Sequence, residues 1–138
     1  MNVRPFRSAD RDAVIALWEA CGLTRPWNDP GRDIERKQGL QPDLFLVGSD
    51  GEALVATVMA GYEGHRGWVN YLGVDPHHRR KGYGRVMMHA AEEALAGVGA
   101  PKVNLQVRGG NDEAVAFYRS LGYEIEEIVS LGKVIDPA

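Results

Sequence analysis

Four cationic side chains and two glycines lie close together near the middle of the chain. They occur within seven consecutive residues, Arg79, Arg80, Lys81, Gly82, Tyr83, Gly84 and Arg85, which we call the basic loop. Arginine and lysine bind phosphate oxygens, and glycines let a phosphate approach the backbone. A helix-patterned segment follows, and the first N–H groups of a helix have no partner within it. The sequence therefore predicts a site for a phosphate-bearing ligand here.

The spacing of the glycines narrows the class of ligand. The basic loop matches neither GxxxxGK[ST], which binds nucleoside triphosphates, nor the GxGxxG of dinucleotide-binding folds. A different phosphate-bearing ligand is therefore expected. From these residues alone, the alternative is a solvent-exposed basic turn that binds nothing.

Length and composition limit the classes of protein that can carry such a loop. The chain has 138 residues, of which 44% are hydrophobic and 25% charged, and this predicts one domain over residues 1–138 with its own core. The net charge of -3 argues against a nucleic-acid partner. No apolar run approaches the roughly 18 residues that would span a membrane, so no membrane partner is expected.

The cysteine content and the first ten residues indicate the cellular compartment. Cys21 is the only cysteine, so no internal disulfide can form. Residues 1–10 do not resemble an apolar signal sequence. Together these observations predict a cytoplasmic location.

Four helices are predicted from apolar spacing and capping residues. The residues Val14, Leu17, Trp18 and Cys21 recur at helical intervals in the first. Asp29 before Pro30 starts a second, over residues 30–39. The basic loop leads into a third helix that ends near residues 97–99, and Asn111 caps a fourth.

Seven short segments have the composition of strands. They are residues 3–6, 44–48, 53–60, 68–74, 103–107, 123–129 and 131–135. The second, third and fourth predict an antiparallel meander. The predicted fold class is α/β (α+β): a mixed, mostly antiparallel sheet of six to seven strands with about four helices, in the order β α α β β β α β α β β. A slot is expected where the strands at 72–74 and 103–107 splay apart.

Two sequence blocks resemble the GNAT superfamily of acyl-CoA-dependent N-acetyltransferases. The first is the basic loop, which matches the pattern Gln/Arg-x-x-Gly-x-Gly/Ala, together with the preceding residues 71–76. The second begins with Leu105-Gln106-Val107-Arg108-Gly109-Gly110-Asn111 and continues through Tyr118 to Tyr123. The likeness covers nearly the whole chain. Within the superfamily the chain is similar to the short bacterial YpeA-type acetyltransferases, through residues 25–30, 33–37, 61–62, 64–67 and 130–133.

This resemblance implies acetyl-CoA as cosubstrate, with no metal. The implied cofactor-binding residues are Leu72, Gly73, Val74, Arg79, Arg80, Lys81, Gly82, Tyr83, Gly84, Arg85 and Asn111. Backbone N–H groups of residues 80–85 would hold the pyrophosphate. The main chain at Leu72 and Val74, with the Asn111 side chain, would bind the pantetheine arm. Tyr118 would be the catalytic general acid that protonates the leaving thiolate.

The role implied for Tyr118 is chemically reasonable. Attack of an amine on a thioester needs an oxyanion partner, here the N–H near Val74, and a proton for the sulfur. A phenol with a pKa of about 10 can protonate a thiolate whose acid has a pKa of about 8.5. The alternative is that Tyr118 is a core aromatic beside Phe117. Because successive helical residues do not share a face, one ring is expected to point inward and the other toward the slot.

The sequence departs from the family pattern at the positions where relatives carry a general base. Many relatives carry a glutamate on the strand at 68–74, and the alanine-acetylating relatives carry one where this chain has Gln106. No acid lies between Arg66 and Leu72. The identity of the general base therefore stays open between Glu63, His65, a water chain and no base at all. Of these, His65 has the most suitable ordinary pKa.

The predicted function is transfer of an acetyl group from acetyl-CoA to a primary amine. The acceptor would be a small molecule, a peptide or a protein N-terminus, attacked directly in a ternary complex. Residues 23–39, which include several acids, would lie over the acceptor side. The alternatives are an acyl-CoA-binding regulatory module without catalysis and, more remotely, a nucleic-acid-binding module. Either a monomer or a homodimer is compatible with the sequence.

Overall fold

The computed structural model describes residues 1–136 of the chain. The chain forms two compact units, Met1–Gln106 and Val107–Ala138. The first contains the sheet and three helices, and the second contains one helix.

The first unit is built on a single five-stranded sheet. Its elements are β1 (Asn2–Pro5), α1 (Arg11–Ala20), α2 (Pro30–Gln38), β2 (Phe45–Asp50), β3 (Ala53–Tyr62), β4 (Gly67–Val74), α3 (Tyr83–Gly97) and β5 (Val103–Leu105). The strands lie in the order β1-β2-β3-β4-β5. The first three pairings are antiparallel and β4–β5 is parallel. The predicted meander is confirmed as β2–β3–β4.

Helices cover both faces of this sheet. Trp18 of α1 and Phe45 of β2 are fully buried, with ring centroids 6.0 Å apart, and Val47 belongs to the same core cluster. The next residue, Gly48, must face the other side, because side chains alternate along a strand. A Cβ on Gly48 would lie 3.1 Å from Sδ of Met87 in α3. The α3 helix therefore packs opposite α1.

Helix α2 begins as the sequence predicts. Oδ1 of Asp29 accepts hydrogen bonds from the N–H groups of Gly31 at 3.0 Å and Arg32 at 3.3 Å. Pro30 occupies the first helical position, where a missing N–H costs nothing. The same local chemistry recurs in the second unit, whose helix α4 (Asp112–Ser120) is capped by Asn111.

The two C-terminal strands are wrong as predictions. Within the described residues, no strand forms at 123–129 or 131–135, and the predicted strand at 103–107 is the shorter β5. The large apolar side chains there are exposed: Ile125, Ile128, Val129, Leu131, Val134 and Ile135. Apolar, β-forming composition is a local property, whereas a strand requires a neighbouring strand to pair with. The sheet thus has five strands, and the mixed α/β class with four helices is confirmed.

No helix within residues 1–136 is long and apolar enough to cross a membrane.

Candidate active site

The basic loop follows β4 and leads into α3, as predicted, and its last three residues, Tyr83, Gly84 and Arg85, form the first turn of that helix. Arg80 has φ 65° and Gly82 has φ 80°, so the backbone enters the left-handed region twice within three residues. A Cβ built on Gly82 would meet nothing within 4 Å, so the space beside it is open. Val86 N–H bonds to Gly82 O at 3.1 Å. The N–H groups of Tyr83, Gly84 and Arg85 therefore precede the first intrahelical bond, which suits them to an anion.

The four cations of the loop do not act alike. Nε of Arg79 donates to the backbone oxygen of Val74 at 3.4 Å, and its guanidinium also lies near the Cys21 thiol. Burial raises the pKa of Cys21, and Arg79 opposes that rise. Arg80, Lys81 and Arg85 are exposed. Arg79 thus joins the loop to β4, while the other three supply positive charge at the surface.

The far end of β4 presents an unpaired backbone edge. Asp75 N–H bonds to Val55 O at 2.8 Å on the β3 side, and hydrogen-bonding direction alternates along an antiparallel strand. Val74 therefore directs its N–H and C=O away from β3. On that side β5 pairs only with Gly67–Val69. The Val74 oxygen already accepts from Cys21 Sγ at 3.2 Å and from Arg79. Its N–H is the group oriented to bind a ligand.

A β-bulge in β4 was not predicted from the sequence. Thr57 pairs with Gly73 and Met59 with Asn70, so Tyr71 and Leu72 together oppose one residue of β3. Tyr71 has φ 53°, in the left-handed region. An extra residue of this kind bends a strand and increases its twist. The bulge therefore separates the part of β4 that pairs with β5 from the part that leads into the basic loop.

A buried polar chain holds the bulge. Oγ1 of Thr57 accepts from Trp18 Nε1 at 3.0 Å and donates to the backbone oxygen of Tyr71 at 2.9 Å. The Trp18 and Tyr71 rings stack with centroids 3.8 Å apart. The signal in the sequence was a lone threonine within the apolar β3 segment, which requires hydrogen-bond partners if buried.

One acid of the segment 23–39, Asp33, is engaged by this same tyrosine. Oη of Tyr71 donates to Oδ2 of Asp33 at 2.5 Å, and Arg36 approaches Oδ1 at 3.2 Å. Burial, followed by the contact with Asp33, raises the pKa of Tyr71 well above its usual value. Tyr71 is therefore a neutral donor, and Asp33 has a structural partner on the sheet.

Asn111 and Tyr118 belong to the second unit. Oδ1 of Asn111 accepts from Ala114 N–H at 3.2 Å, which leaves its amide nitrogen as the group suited to donate to a ligand. Burial raises the pKa of Tyr118, so its phenol keeps its proton at neutral pH. The rings of Phe117 and Tyr118 touch edge to face, with centroids 5.2 Å apart, and Tyr123 lies 5.9 Å from Tyr118. The two rings therefore contact each other, and the expectation that one points inward and the other toward the slot stays a prediction.

Glu63 and His65 lie at the opposite end of β4 from Val74. Oε1 of Glu63 accepts from the N–H groups of Arg66 and His65, and these bonds lower its pKa. The turn precedes Gly67, and β4 has eight residues. At about 3.3 Å per residue, the strand separates this turn from Val74 by about 20 Å. Neither side chain can therefore reach Val74, where the family resemblance places the oxyanion partner.

The family resemblance implied a strand, a glycine-containing loop and a helix on a mixed sheet, and the structure has these features in that order. The family model described as "Acetyltransferase (GNAT) family" matches residues 11–123. The chain therefore belongs to the GNAT acetyltransferase family. The prediction of an N-acetyltransferase of this superfamily is confirmed.

Curated relatives place the chain among bacterial acetyltransferases. An acetyltransferase of Sodalis glossinidius is 47% identical over 134 residues, covering 96% of this chain and 94% of the relative. One from Yersinia enterocolitica is 46% identical over 133 residues, with the same coverage. Both cover nearly the full length of the chain, as expected for a short bacterial member.

Solved structures agree with the fold. Ard1 from Thermoplasma volcanium superposes with a TM-score of 0.79 at 25% identity, covering 91% of this chain and 83% of that one. The ribosomal-protein-S18-alanine N-acetyltransferase of Escherichia coli superposes with a TM-score of 0.74 at 21% identity, covering 88% of this chain and 76% of that one. An aminoglycoside 6'-N-acetyltransferase of Acinetobacter haemolyticus superposes with a TM-score of 0.74 at 21% identity, covering 99% of this chain and 100% of that one. The last two show the fold alone.

Over residues 1–136, no group of three or more His, Cys, Asp or Glu side chains could hold a metal ion.

Proposed function

We propose that this protein transfers an acetyl group from acetyl-CoA to a primary amine of a small molecule, a peptide or a protein N-terminus. The observation that carries the proposal is the open space beside Gly82 at the start of α3, in the loop that follows the unpaired strand edge at Val74. A long ligand with phosphates at one end and an amide-containing arm suits such a site, because phosphates bind helix N-termini and amides pair with strand edges.

The binding roles follow from the groups available. N–H groups of residues 80–85 bind the pyrophosphate, and Arg80, Lys81 and Arg85 add charge. The backbone of Leu72, Gly73 and Val74 faces the pantetheine arm. The amide nitrogen of Asn111 donates to the same arm.

The chemistry is a direct acyl transfer in a ternary complex. The neutral amine attacks the thioester carbon, a C–N bond forms, and Val74 N–H stabilises the oxyanion. The C–S bond then breaks, Tyr118 protonates the CoA thiolate, and the amine proton goes to water. A water-mediated route is preferred because Glu63 and His65 lie about 20 Å from Val74 along β4. Asp33 is not assigned as the base, because it accepts a hydrogen bond from Tyr71 and pairs with Arg36.

Binding of acetyl-CoA should stabilise the folded protein. At a ligand concentration tenfold above Kd, the free energy of unfolding is expected to rise by about 1.4 kcal/mol, because only the native state offers the site. Differential scanning fluorimetry measures the rise in Tm. Acetyl-pantetheine, which lacks every phosphate, serves as the control and should give a much smaller rise. The absence of a shift at millimolar acetyl-CoA would contradict the proposal.

Substitution of the two turn residues tests the assignment of the base. Glu63→Gln and His65→Gln are each expected to change kcat/KM by no more than about twofold, because neither side chain reaches the reacting atoms. Steady-state kinetics with an accepted amine measures this. A fall of about tenfold or more in either variant would return that residue to the mechanism.

A regulatory acyl-CoA-binding module without catalysis is the second candidate. The placement of Glu63 and His65 away from Val74 favours it, because both side-chain bases considered are then absent from the reaction centre. Mass spectrometry of an amine, amino-acid and peptide panel incubated with acetyl-CoA separates the two functions. Acetylation of any panel member would eliminate the module.

We also propose that residues 1–138 act as one acyl-CoA N-acyltransferase domain, as a monomer or a homodimer in the cytoplasm. The family match spans both compact units, which supports a single functional domain. The net charge of -3 argues against nucleic-acid and membrane partners.

A further inference from the structure

The basic loop makes a contact that phosphate binding does not require. Oη of Tyr83, the first residue of α3, donates to Oδ2 of Asp50 at 2.7 Å. Asp50 ends β2 and pairs with Ala53 across the hairpin turn. Strand pairing holds the hairpin in place, so this hydrogen bond ties the start of α3 to the sheet.

Asp50 also places a negative charge in a positive environment. The hydrogen bond from Tyr83 lowers the pKa of Asp50, and Lys81, His78 and the amino group of Met1 act in the same direction. Asp50 is therefore an anion at neutral pH. Lys81 and the α3 N-terminus attract a ligand phosphate as well as this carboxylate. A bound phosphate and Asp50 therefore repel each other.

We propose that Asp50 and Tyr83 set how tightly the basic loop holds the phosphates of CoA. The Tyr83 hydrogen bond positions the loop, which favours binding. The Asp50 charge opposes binding, and so weakens the hold on the CoA product. This inference rests on the proposed function, because it takes the phosphates of CoA as the ligand of the loop.

Two substitutions separate the hydrogen bond from the charge. Asp50→Asn keeps an acceptor oxygen for Tyr83 and removes the charge, whereas Tyr83→Phe removes the hydrogen bond and keeps the charge. Isothermal titration calorimetry measures the Kd of each variant for CoA, and for pantetheine as the phosphate-free probe, at low and at high salt. Asp50→Asn should lower the Kd of CoA about fivefold at low salt and by much less at high salt. Tyr83→Phe should raise it about threefold at both.

The controls distinguish this inference from the function on which it rests. Glu52→Gln removes a charge from an exposed residue in the same turn and should change the Kd of CoA little. Any of three results would overturn the role of Asp50. They are a rise in CoA affinity in Glu52→Gln equal to that in Asp50→Asn, no rise in CoA affinity in Asp50→Asn, or a rise in pantetheine affinity in Asp50→Asn equal to the rise for CoA. A wild-type protein that binds CoA no better than pantetheine would instead refute the phosphate site itself.

Discussion

Replacing Tyr118 with phenylalanine should lower kcat about 100-fold while the Kd of acetyl-CoA stays nearly unchanged. That loss corresponds to about 2.7 kcal/mol of transition-state stabilisation. Phenylalanine keeps the ring contacts with Phe117 and Tyr123 and removes only the phenolic proton donor. Steady-state kinetics and calorimetry on the same preparation give the two constants.

The pKa of Tyr118 adds a second readout. Because burial raises the pKa of Tyr118, the phenol should remain protonated, and wild-type activity should persist, at pH values at which an ordinary tyrosine begins to ionise. Tyr123→Phe is the matched control, since it removes a hydroxyl from the neighbouring ring. Equal kcat values for wild type and Tyr118→Phe would remove Tyr118 from the mechanism.

Replacing Thr57 with valine should lower the free energy of unfolding by about 3 kcal/mol, because two buried polar groups lose their partner. Valine has nearly the shape of threonine but has no hydroxyl, so the Trp18 N–H loses its acceptor and the Tyr71 carbonyl its donor. Urea denaturation monitored by tryptophan fluorescence measures the change. Acetyl-CoA binding should weaken as well, because the bulge at Tyr71 leads into the basic loop.

Thr57→Ser tests whether the hydroxyl is responsible. Serine keeps both hydrogen bonds and loses one methyl group, so a decrease of about 1 kcal/mol is expected. A larger loss in the serine variant than in the valine variant would show that packing at Thr57, rather than the hydrogen-bonded chain, stabilises the bulge.

Features that depend on neighbouring residues were predictable from the sequence. Asp29 caps α2 through N–H groups two and three residues away, and Asn111 caps α4 in the same way. The basic loop precedes a helix as expected. The same reasoning was wrong for residues 123–135, because their local strand composition carries no information about a pairing partner.

Features that join distant parts of the chain were not predictable. The bulge depends on the hydrogen bond between Thr57 and Trp18, which lies 39 residues before Thr57 in the chain. Asp50 meets Tyr83 across 33 residues. Glu63 and His65 are near β4 in sequence, yet strand length places them about 20 Å from Val74.

The sequence by itself thus determined the family, the order of the central elements and the position of the basic loop, because caps, turns and periodic patterns act over a few residues. Only the tertiary structure decided that the Val74 N–H lies on an unpaired strand edge, that Tyr83 of the basic loop meets Asp50, and that Glu63 and His65 lie at the opposite end of β4 from Val74. Strand register and long-range side-chain contacts set these features, and neither is encoded in local spacing.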